Sequence, residues 1–501
     1  MKQKEKIVLI SIVAIFLLGV ITFLVLSNIS QGTTIKYEDE KNLDYDDNLE
    51  DNSYLDLDLS TSEISELTTI DETEFDYDSS EAIYVDLDEV EDIYEITSAG
   101  TYILSGELDG QIIIETEDDN SVNLVLDGIK ISSSEGSPIV IEAAEETIIF
   151  LEDGTTNYIY DSSAYEDPDE NEDATPAAIF SRDDLYISGT GTLIIESENK
   201  CGIQSKDQIV INSGTITITA AKEAIKAKDY LIVEEGVLDL TAGEDGISVT
   251  EEDEEDKGWI KINGGTISVD AQYDGISAKT YLIINDGTVD ITTSTSDTSK
   301  SSKGIKSLYY LEINGGAISV DSQDDAIHSD NEIVINGGDI SLFSGDDGIH
   351  ADSLVTINKG EITIAKSYEG IEGNNVVIND GTIEIISSDD GINSVSRDIT
   401  INGGEITITA ATSGNGDGLD ANGAIAISDG DLVIVMPSSY RDYSSIDYDR
   451  TFSLTGGRVR ILNTDGTYTE VTESNVASVS GMMGGGMQQP TNGMTRPGMR
   501  G

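Results

Sequence analysis

A repeat with a period close to 22 residues runs through the second half of the chain. Its first marker is Gly or Ala followed by Ile or Leu, in most units after an acidic residue, as in Asp347-Gly348-Ile349, and its second marker is a glycine about 11 residues later. Two independent markers stay in phase over ten units, which predicts a solenoid whose turns stack on one another. The first markers end at Ile203, Ile225, Ile247, Ile276, Ile305, Ile327, Ile349, Ile371, Ile392 and Leu419.

Each unit alternates apolar and polar residues over short runs, which is typical of strands and not of helices. Around Gly287, the apolar run Leu282-Ile283-Ile284 precedes the turn and Thr288-Val289-Asp290-Ile291 follows it. We therefore predict an all-β chain that folds as a right-handed parallel β-helix, with three strands in each coil of about 22 residues. A column of asparagines should form a hydrogen-bonded ladder at one turn. Its members are Asn263, Asn285, Asn314, Asn336, Asn358, Asn379 and Asn402.

The regions outside the repeat differ from it in composition. Residues 7–26 form an uncharged, apolar run behind several lysines, so residues 1–30 are predicted to be a membrane anchor, or a signal peptide if they are cleaved. Most of the chain is then extracellular, at the cell surface or secreted. The remaining boundaries are an acidic disordered linker at 31–82, N-terminal β coils and a cap at 83–180, parallel β-helix repeats at 181–480, and a disordered Gly/Met/Pro tail at 481–501.

The charge of the chain limits its partners. There are 97 Asp and Glu residues against 27 Lys and Arg residues, a formal net charge of −70. This balance argues against nucleic acid as a partner and favours cations or a solvated extracellular surface. The single cysteine, Cys201, cannot form an internal disulfide, so packing must hold the fold. We expect a monomer.

Stacking turns the repeated acids into a column. Neighbouring strands lie about 4.8 Å apart, and the residues two positions before the Ile or Leu markers are all acidic from Asp325 to Asp417. Two such charges repel by roughly 3 kcal/mol at an effective dielectric near 20. We expect bound Ca²⁺ to relieve this, because calcium accepts six to eight oxygen ligands in irregular geometry; the alternative is a solvated acidic edge that opposes aggregation. The predicted metal ligands are Asp324, Asp325, Asp346, Asp347, Glu369, Asp389, Asp390, Asp417 and Asp420.

The only two histidines, His328 and His350, are 22 residues apart and should stack in adjacent turns beside these acids. They are expected to contact a bound carbohydrate, and the alternative is an exposed pair that is hydrogen-bonded to neighbouring aspartates. Zinc is a further alternative for this pair, which the sequence does not favour.

Four aromatic residues form a second column. Tyr230, Trp259, Tyr281 and Tyr310 each lie six positions before a repeat glycine, in four consecutive turns. Strand parity directs them outward, where they would form a ridge about 14 Å long at the spacing of stacked strands. Flat rings suit the CH faces of sugars, so we predict a carbohydrate-binding platform. The alternative is that the two long loops in these same units cover the rings.

Two stretches are specific enough to indicate a family. They are Gly345-Asp346-Asp347-Gly348-Ile349-His350-Ala351-Asp352 and Ser367-Tyr368-Glu369-Gly370-Ile371-Glu372-Gly373. With more general matches over about 85–480, the chain resembles the bacterial extracellular carbohydrate-binding parallel β-helix proteins of clostridial type, which are related in structure to pectate lyases. The resemblance implies calcium binding and recognition of plant-type or acidic polysaccharide, without established cleavage activity. The N-terminal anchor and the unit-specific loops depart from that family.

These patterns predict a non-catalytic, calcium-dependent protein that binds a cellulose-like or pectin-like polysaccharide. One alternative is a calcium-dependent, pectate-type lyase, which needs a base beside its metal ion. Lys306, in the register of His328 and His350, is the candidate base, although no arginine lies next to it to hold a uronate. Another alternative is a structural or adhesive stalk at the cell surface.

Overall fold

Each repeat folds as three short strands, and every strand pairs in parallel with its equivalent one turn further on. Ile327, for example, pairs with Ile349, and His328 pairs with His350. The structure is a computed structural model that describes residues 75–164, 176–254, 256–297, 299–410, 416–435, 444–463 and 465–478. These residues are all-β with almost no helix and form a right-handed parallel β-solenoid of about 15 turns. The predicted parallel β-helix is confirmed.

Three sheets form the walls of the solenoid. Sheet 1 contains Ile93–Ile96, Gln111–Glu115, Ile139–Ala143, Ala177–Ser181, Cys201–Ser205, Ile225–Ala227, Ile247–Val249, Ile276–Ala278, Ile305–Ser307, Ile327–Ser329, Ile392–Ser394, Leu419–Ala421 and Ile446–Tyr448. Sheet 2 contains Ile83–Asp86, Thr147–Leu151, Leu185–Gly189, Ile209–Ile211, Tyr230–Val233, Trp259–Ile262, Tyr281–Ile284, Tyr310–Ile313, Glu332–Ile335, Ile399–Ile401, Ile425–Ile427 and Phe452–Leu454.

Sheet 3 follows the Asn-Gly corner of each turn. It contains Thr156–Asp161, Thr192–Ser197, Thr215–Ala220, Val237–Ala242, Thr266–Ala271, Thr288–Thr293, Ala317–Asp321, Asp339–Phe343, Glu361–Ser367, Thr382–Ser387, Glu405–Thr409, Asp431–Val435, Arg458–Leu462 and the antiparallel Tyr468–Glu470. Four long strands span two sheets: Gly100–Asp109 and Val122–Ser133 join sheets 2 and 3, and Ile349–Ile357 and Ile371–Ile378 join sheets 1 and 2. Short 3₁₀ turns lie at Ser79–Glu81, Leu87–Glu89 and Val476–Ser478.

The Ile markers point into the solenoid and form its core. Ile305 and Ile327 have no exposed surface. The residue before the marker is small because space there is limited: a Cβ at Gly304 would lie 2.2 Å from Val320 Cγ1 and 2.6 Å from the backbone oxygen of Ala326, and the next turn has alanine at this position. The tight approach holds the preceding residue, which is acidic in most turns, at a constant position on the wall of the solenoid.

The asparagine ladder predicted at the corner between sheets 2 and 3 is confirmed. The Nδ2 atom of each asparagine donates to the Oδ1 atom of the asparagine one turn earlier, at distances of 2.7 to 2.9 Å. Asn263 donates to Glu234 at one end, and Ser428 donates to Asn402 at the other. Because a slip of one residue would break every amide bond, the ladder holds the register of successive turns.

Several predicted segments lie outside the described residues. These are the anchor or signal peptide at 1–30, the tail at 481–501 and most of the linker at 31–82. The last residues assigned to the linker are described, and there Phe75 and Tyr77 pack on Tyr186 and Phe150 of sheet 2, with ring centroids 6.1 and 4.9 Å apart. Within the described ranges, no helix has the length and apolar character needed to cross a membrane.

Candidate metal centre and carbohydrate site

The acidic column lies along the edge of sheet 1, in the register expected from the repeat. Several of its carboxylates accept a hydrogen bond from the backbone N–H of the equivalent residue one turn further on. The distance is 3.0 Å from Asp347 N to Asp325 Oδ1 and 3.0 Å from Glu369 N to Asp347 Oδ1. Lys303 N donates in the same way to Asp274 Oδ1 at 2.8 Å. The backbone therefore uses one oxygen of these carboxylates, and the second oxygen faces the other side chains of the edge. The repeat spacing alone does not indicate this backbone role.

Nitrogen cations already neutralise one part of the column. Lys303 Nζ lies 3.0 Å from Asp324 Oδ1 and 2.7 Å from Asp325 Oδ2. Asp324, Asp325 and Asp346 bring carboxylate oxygens within 4.8 Å of one another, as a shared ion would require, but the Lys303 ammonium already binds two of the three. This makes the group a weaker candidate for calcium than its carboxylates alone would indicate.

The two histidines lie beside these acids in adjacent turns, as predicted, with ring centroids 5.0 Å apart. His328 Nδ1 lies 2.8 Å from Asp325 Oδ2, and His328 Nε2 lies 2.8 Å from Asp330 Oδ1. Burial opposes ionisation of Asp325, yet hydrogen bonds from both histidines and the charge of Lys303 hold its pKa well below the usual value. Asp325 is thus a buried anion that three nitrogen groups surround.

His350 lies among four carboxylates. Its Nδ1 atom is 3.6 Å from Asp325 Oδ2 and 3.4 Å from Asp347 Oδ2. Its Nε2 atom is 3.4 Å from Asp352 Oδ1 and 3.6 Å from Glu372 Oε1. Burial alone would lower the pKa of His350, but hydrogen bonds with Asp325, Asp347 and Asp352 raise it well above its ordinary value.

Glu369 is in a different environment from the aspartates. Burial, followed by its hydrogen bond with Glu372 and the negative charge there, raises the pKa of Glu369 to about 11. Asn393 Nδ2 donates to both glutamates, at 2.8 Å in each case. Glu369 is thus bonded to Glu372 and Asn393 and joins no described group of three metal-binding side chains. Glu372 was not among the predicted site residues, although it shares the register of His328 and His350.

The aspartate triad, Asp390, Asp417 and Asp420, is the part of the column that fits calcium best. Oxygens of these three carboxylates lie within 4.8 Å of one another. Within the described ranges, no Lys, Arg or His forms an ion pair with them. Burial and then neighbouring carboxylates raise the pKa of Asp390 to about 8, and raise the pKa values of Asp417 and Asp420 to about 6. The triad therefore concentrates oxygen donors and negative charge that a divalent cation would stabilise.

An exposed aromatic ring lies on the same edge, between the turns of Asp346 and Asp389. Tyr368 is 48% exposed, and a hydrogen bond to Asp389, followed by burial, raises its pKa well above the usual value. Asp389 is part of no described group of three metal-binding side chains. Tyr368 was not predicted as a site residue. Its signal was its register, because it occupies the same repeat position as Asp346 and Asp389.

The four aromatic residues were expected to form an exposed ridge, and the structure contradicts the exposure. The rings leave the outer face of sheet 2 as parity requires, but Trp259 and Tyr281 are only 1% exposed, Tyr310 is 5% exposed and Tyr230 is half-buried. Tyr230 and Trp259 stack on each other with centroids 4.3 Å apart and planes 1° apart. Trp259, Tyr281 and Tyr310 therefore expose too little ring surface for a sugar to stack on.

The covering has two sources. The rings belong to a second hydrophobic cluster outside sheet 2, on which Phe75 and Tyr77 pack. The long loop before Trp259 closes over its ring, and Trp259 Nε1 donates to the backbone oxygen of Asp256 at 2.9 Å. Lys257 secures the same loop through an ion pair with Asp229 at 3.0 Å. One of the two long loops thus covers the column, as the alternative expected. The other, after Thr293, bonds instead to Gln323 and Asp274 at the edge of sheet 1.

A family model for carbohydrate-binding domain-containing proteins matches residues 90–348 and 344–493. The chain belongs to this family. A relative from Acetivibrio thermocellus with the same description is 33% identical over 163 residues, which are 32% of this chain and 56% of the relative. The chain thus matches about half the length of that curated relative. A solved polysaccharide lyase-like protein from C. thermocellum, in a gadolinium derivative, is 32% identical, with a TM-score of 0.43 over 46% of this chain and 96% of the other.

In this carbohydrate-binding family member, the predicted metal residues divide into groups with different chemistry. Asp324, Asp325 and Asp346 meet around Lys303, and Asp347 meets His350 and Glu372. Asp390, Asp417 and Asp420 meet by themselves within the described part of the chain, and neither Glu369 nor Asp389 joins a group.

Proposed function

We propose that this protein is a non-catalytic, extracellular carbohydrate-binding protein that binds calcium at the aspartate triad and acidic polysaccharide through that calcium. The observation that carries the proposal is that oxygens of Asp390, Asp417 and Asp420 lie within 4.8 Å of one another. Among the described residues, none of these three carboxylates forms an ion pair with Lys, Arg or His. Calcium prefers oxygen ligands and tolerates irregular geometry. The apolar run at 7–26 supports attachment to the membrane at the cell surface.

A bound calcium ion would also let a strongly acidic protein hold a polyanion. With a formal net charge of −70, the protein surface repels uronate chains at long range. Calcium takes six to eight oxygens, so an ion on the triad has positions left for water and for a sugar carboxylate. Recognition of a pectin-like polymer would then be metal-bridged, while stacking of a neutral, cellulose-like polymer on Tyr368 would not need the ion.

The position of the candidate base favours binding over lyase chemistry. A lyase base must lie within hydrogen-bond reach of the proton that it removes. Lys306 Nζ lies 3.8 Å from Asp274 Oδ2, and its turn is four turns before that of Asp390. At about 4.8 Å per turn, Lys306 is roughly 19 Å from the triad. It therefore cannot serve a calcium ion bound there.

The test is retention of the full chain on insoluble polygalacturonate and on cellulose, each in calcium and in EGTA. We expect retention on polygalacturonate in calcium and its loss in EGTA. Retention on polygalacturonate that ignores the chelator would contradict metal bridging. Formation of unsaturated product, measured by ultraviolet absorbance, would overturn the non-catalytic assignment.

Variants locate the ion. Asp417→Asn and Asp420→Asn remove one charge each from the triad and are expected to weaken calcium-dependent retention at least 10-fold. Asp239→Asn makes the same charge change at an exposed position on sheet 3 and is the matched control. Equal retention of all three variants would exclude the triad as the calcium site.

A further inference from the structure

The two histidines and Asp325 form a second cluster whose donor set differs from that of the triad. One donor atom from each of Asp325, His328 and His350 lies within 4.8 Å of the other two. The Nδ1 atoms of both histidines face Asp325 Oδ2, at 2.8 and 3.6 Å. Asp347 Oδ2 lies 3.4 Å from His350 Nδ1 on the same side. Two imidazole nitrogens and a carboxylate thus converge on one point of the edge, where Lys303 Nζ also lies 2.7 Å from Asp325 Oδ2.

These separations suit a tetrahedral ion. Zinc binds His nitrogen and carboxylate oxygen at about 2.0 to 2.2 Å in a tetrahedral arrangement, so two of its ligand atoms lie about 3.3 to 3.6 Å apart. The observed distance of 3.6 Å from Asp325 to His350 agrees with this value, and the hydrogen-bonded distance of 2.8 Å from Asp325 to His328 must lengthen by about 0.5 Å when an ion takes the place of the proton. Small side-chain adjustments are enough to seat an ion.

The far nitrogens of the two rings supply an independent observation. A histidine that binds a metal usually donates its other ring N–H to a carboxylate or carbonyl, which fixes the tautomer and the ring orientation. His328 Nε2 lies 2.8 Å from Asp330 Oδ1, and His350 Nε2 lies 3.4 Å from Asp352 Oδ1. Both rings are therefore already held with Nε2 toward an outer carboxylate and Nδ1 toward the cluster.

We infer that Asp325, His328 and His350 form a binding site for a divalent transition metal of the zinc class, separate from the calcium triad. The fourth position is open to water or to Asp347. Imidazole suits zinc, copper and nickel, whereas calcium selects oxygen, so the two sites discriminate between ions. Lys303 keeps a partner when the metal takes Asp325 Oδ2, because its ammonium also bonds to Asp324 at 3.0 Å.

The test is titration of the full-length protein with Co²⁺ and Zn²⁺ in the presence of excess Ca²⁺. We expect one equivalent of Co²⁺ to produce the intense visible absorption of a tetrahedral centre, and Zn²⁺ to abolish it by displacement. His328→Asn and His350→Asn should each weaken zinc binding about 100-fold or more. Asp330→Asn should weaken it about 10-fold through loss of ring orientation.

The controls separate this site from general acidity. Lys306 is the residue equivalent to His328 one turn earlier, and Lys306→Gln is expected to leave zinc affinity unchanged. Loss of zinc binding in Asp417→Asn, or its retention in both histidine variants, would overturn the inference. If the histidine variants do not fold, X-ray absorption of the zinc-loaded wild-type protein decides the question, since two imidazole ligands are expected and a spectrum with oxygen ligands alone contradicts the site.

Discussion

Trp259 illustrates how a side chain that leaves the outer face of a sheet becomes part of a hydrophobic core. Its ring is stacked on Tyr230, its indole N–H is bonded to the loop at Asp256, and only 1% of the residue is exposed. Aromatic rings in such clusters contribute through buried area and ring geometry. Trp259 therefore stabilises the loop-covered face of sheet 2.

Replacement of Trp259 by Ala is expected to lower the free energy of unfolding by about 3 to 5 kcal/mol, as for other buried aromatic residues. Trp259→Phe keeps a ring against Tyr230 and should cost less. Denaturant unfolding measures both values. Polysaccharide retention, measured well below the melting temperatures, should match that of the wild type. Reduced retention with unchanged stability would instead mean that the ring is exposed to ligand.

At the scale of structural elements, the solenoid wall is stabilised by columns that repeat one interaction from turn to turn. The asparagine ladder joins amide to amide, and the acidic column joins carboxylate to backbone N–H. Both columns are directional, because the donor of each hydrogen bond belongs to the later of the two turns. The donor is an amide Nδ2 in the ladder and a backbone N–H in the acidic column. A change at one member therefore affects the turns on both of its sides.

Asn336, in the middle of the ladder, tests this directionality. Its Nδ2 atom donates to Asn314 Oδ1 at 2.8 Å, and its Oδ1 atom accepts from Asn358 at 2.7 Å. Asn336→Asp keeps an acceptor for Asn358 but places a carboxylate against the Asn314 carbonyl and Glu312, so we expect a loss of about 1 to 3 kcal/mol in unfolding free energy. The exposed Thr382→Ala is the control in the same denaturant titration. Equal stability of the two variants would mean that the ladder contributes little.

At the scale of the whole molecule, period and register could be predicted because they depend on local alternation. The turns, the asparagine ladder and the contact between His328 and His350 all follow from equivalent positions one repeat apart. The repeat left open whether Trp259 is exposed or covered by loops, because coverage depends on where a loop and residues far earlier in the chain pack. Nor could the ion pairs of Lys303 be predicted, because spacing gives the neighbour of a side chain but not its rotamer.

The aspartate triad also makes the stability of the molecule depend on pH. An unfolded Asp has a pKa of about 3.9, whereas the folded chain holds Asp390 at about 8 and Asp417 and Asp420 at about 6. Between these values the folded state binds more protons than the unfolded state, so stability falls as pH rises from about 4 to about 8. The raised pKa of His350 acts in the same direction above its unfolded value.

We therefore expect the melting temperature in EGTA to be lower at about pH 8.5 than at about pH 5, since the triad is ionised and uncompensated at the higher pH. Calcium binds the ionised carboxylates, so it should raise the melting temperature more at pH 8.5 than at pH 5. At pH 8.5, a calcium concentration 100 times the dissociation constant is expected to stabilise the folded state by about 2.7 kcal/mol. Calorimetry at both pH values, with and without calcium, measures the difference. Asp417→Asn should reduce the calcium effect and Asp239→Asn should not. A calcium effect that is equal at both pH values would place the ion on carboxylates that are ionised throughout this range, and not on the triad.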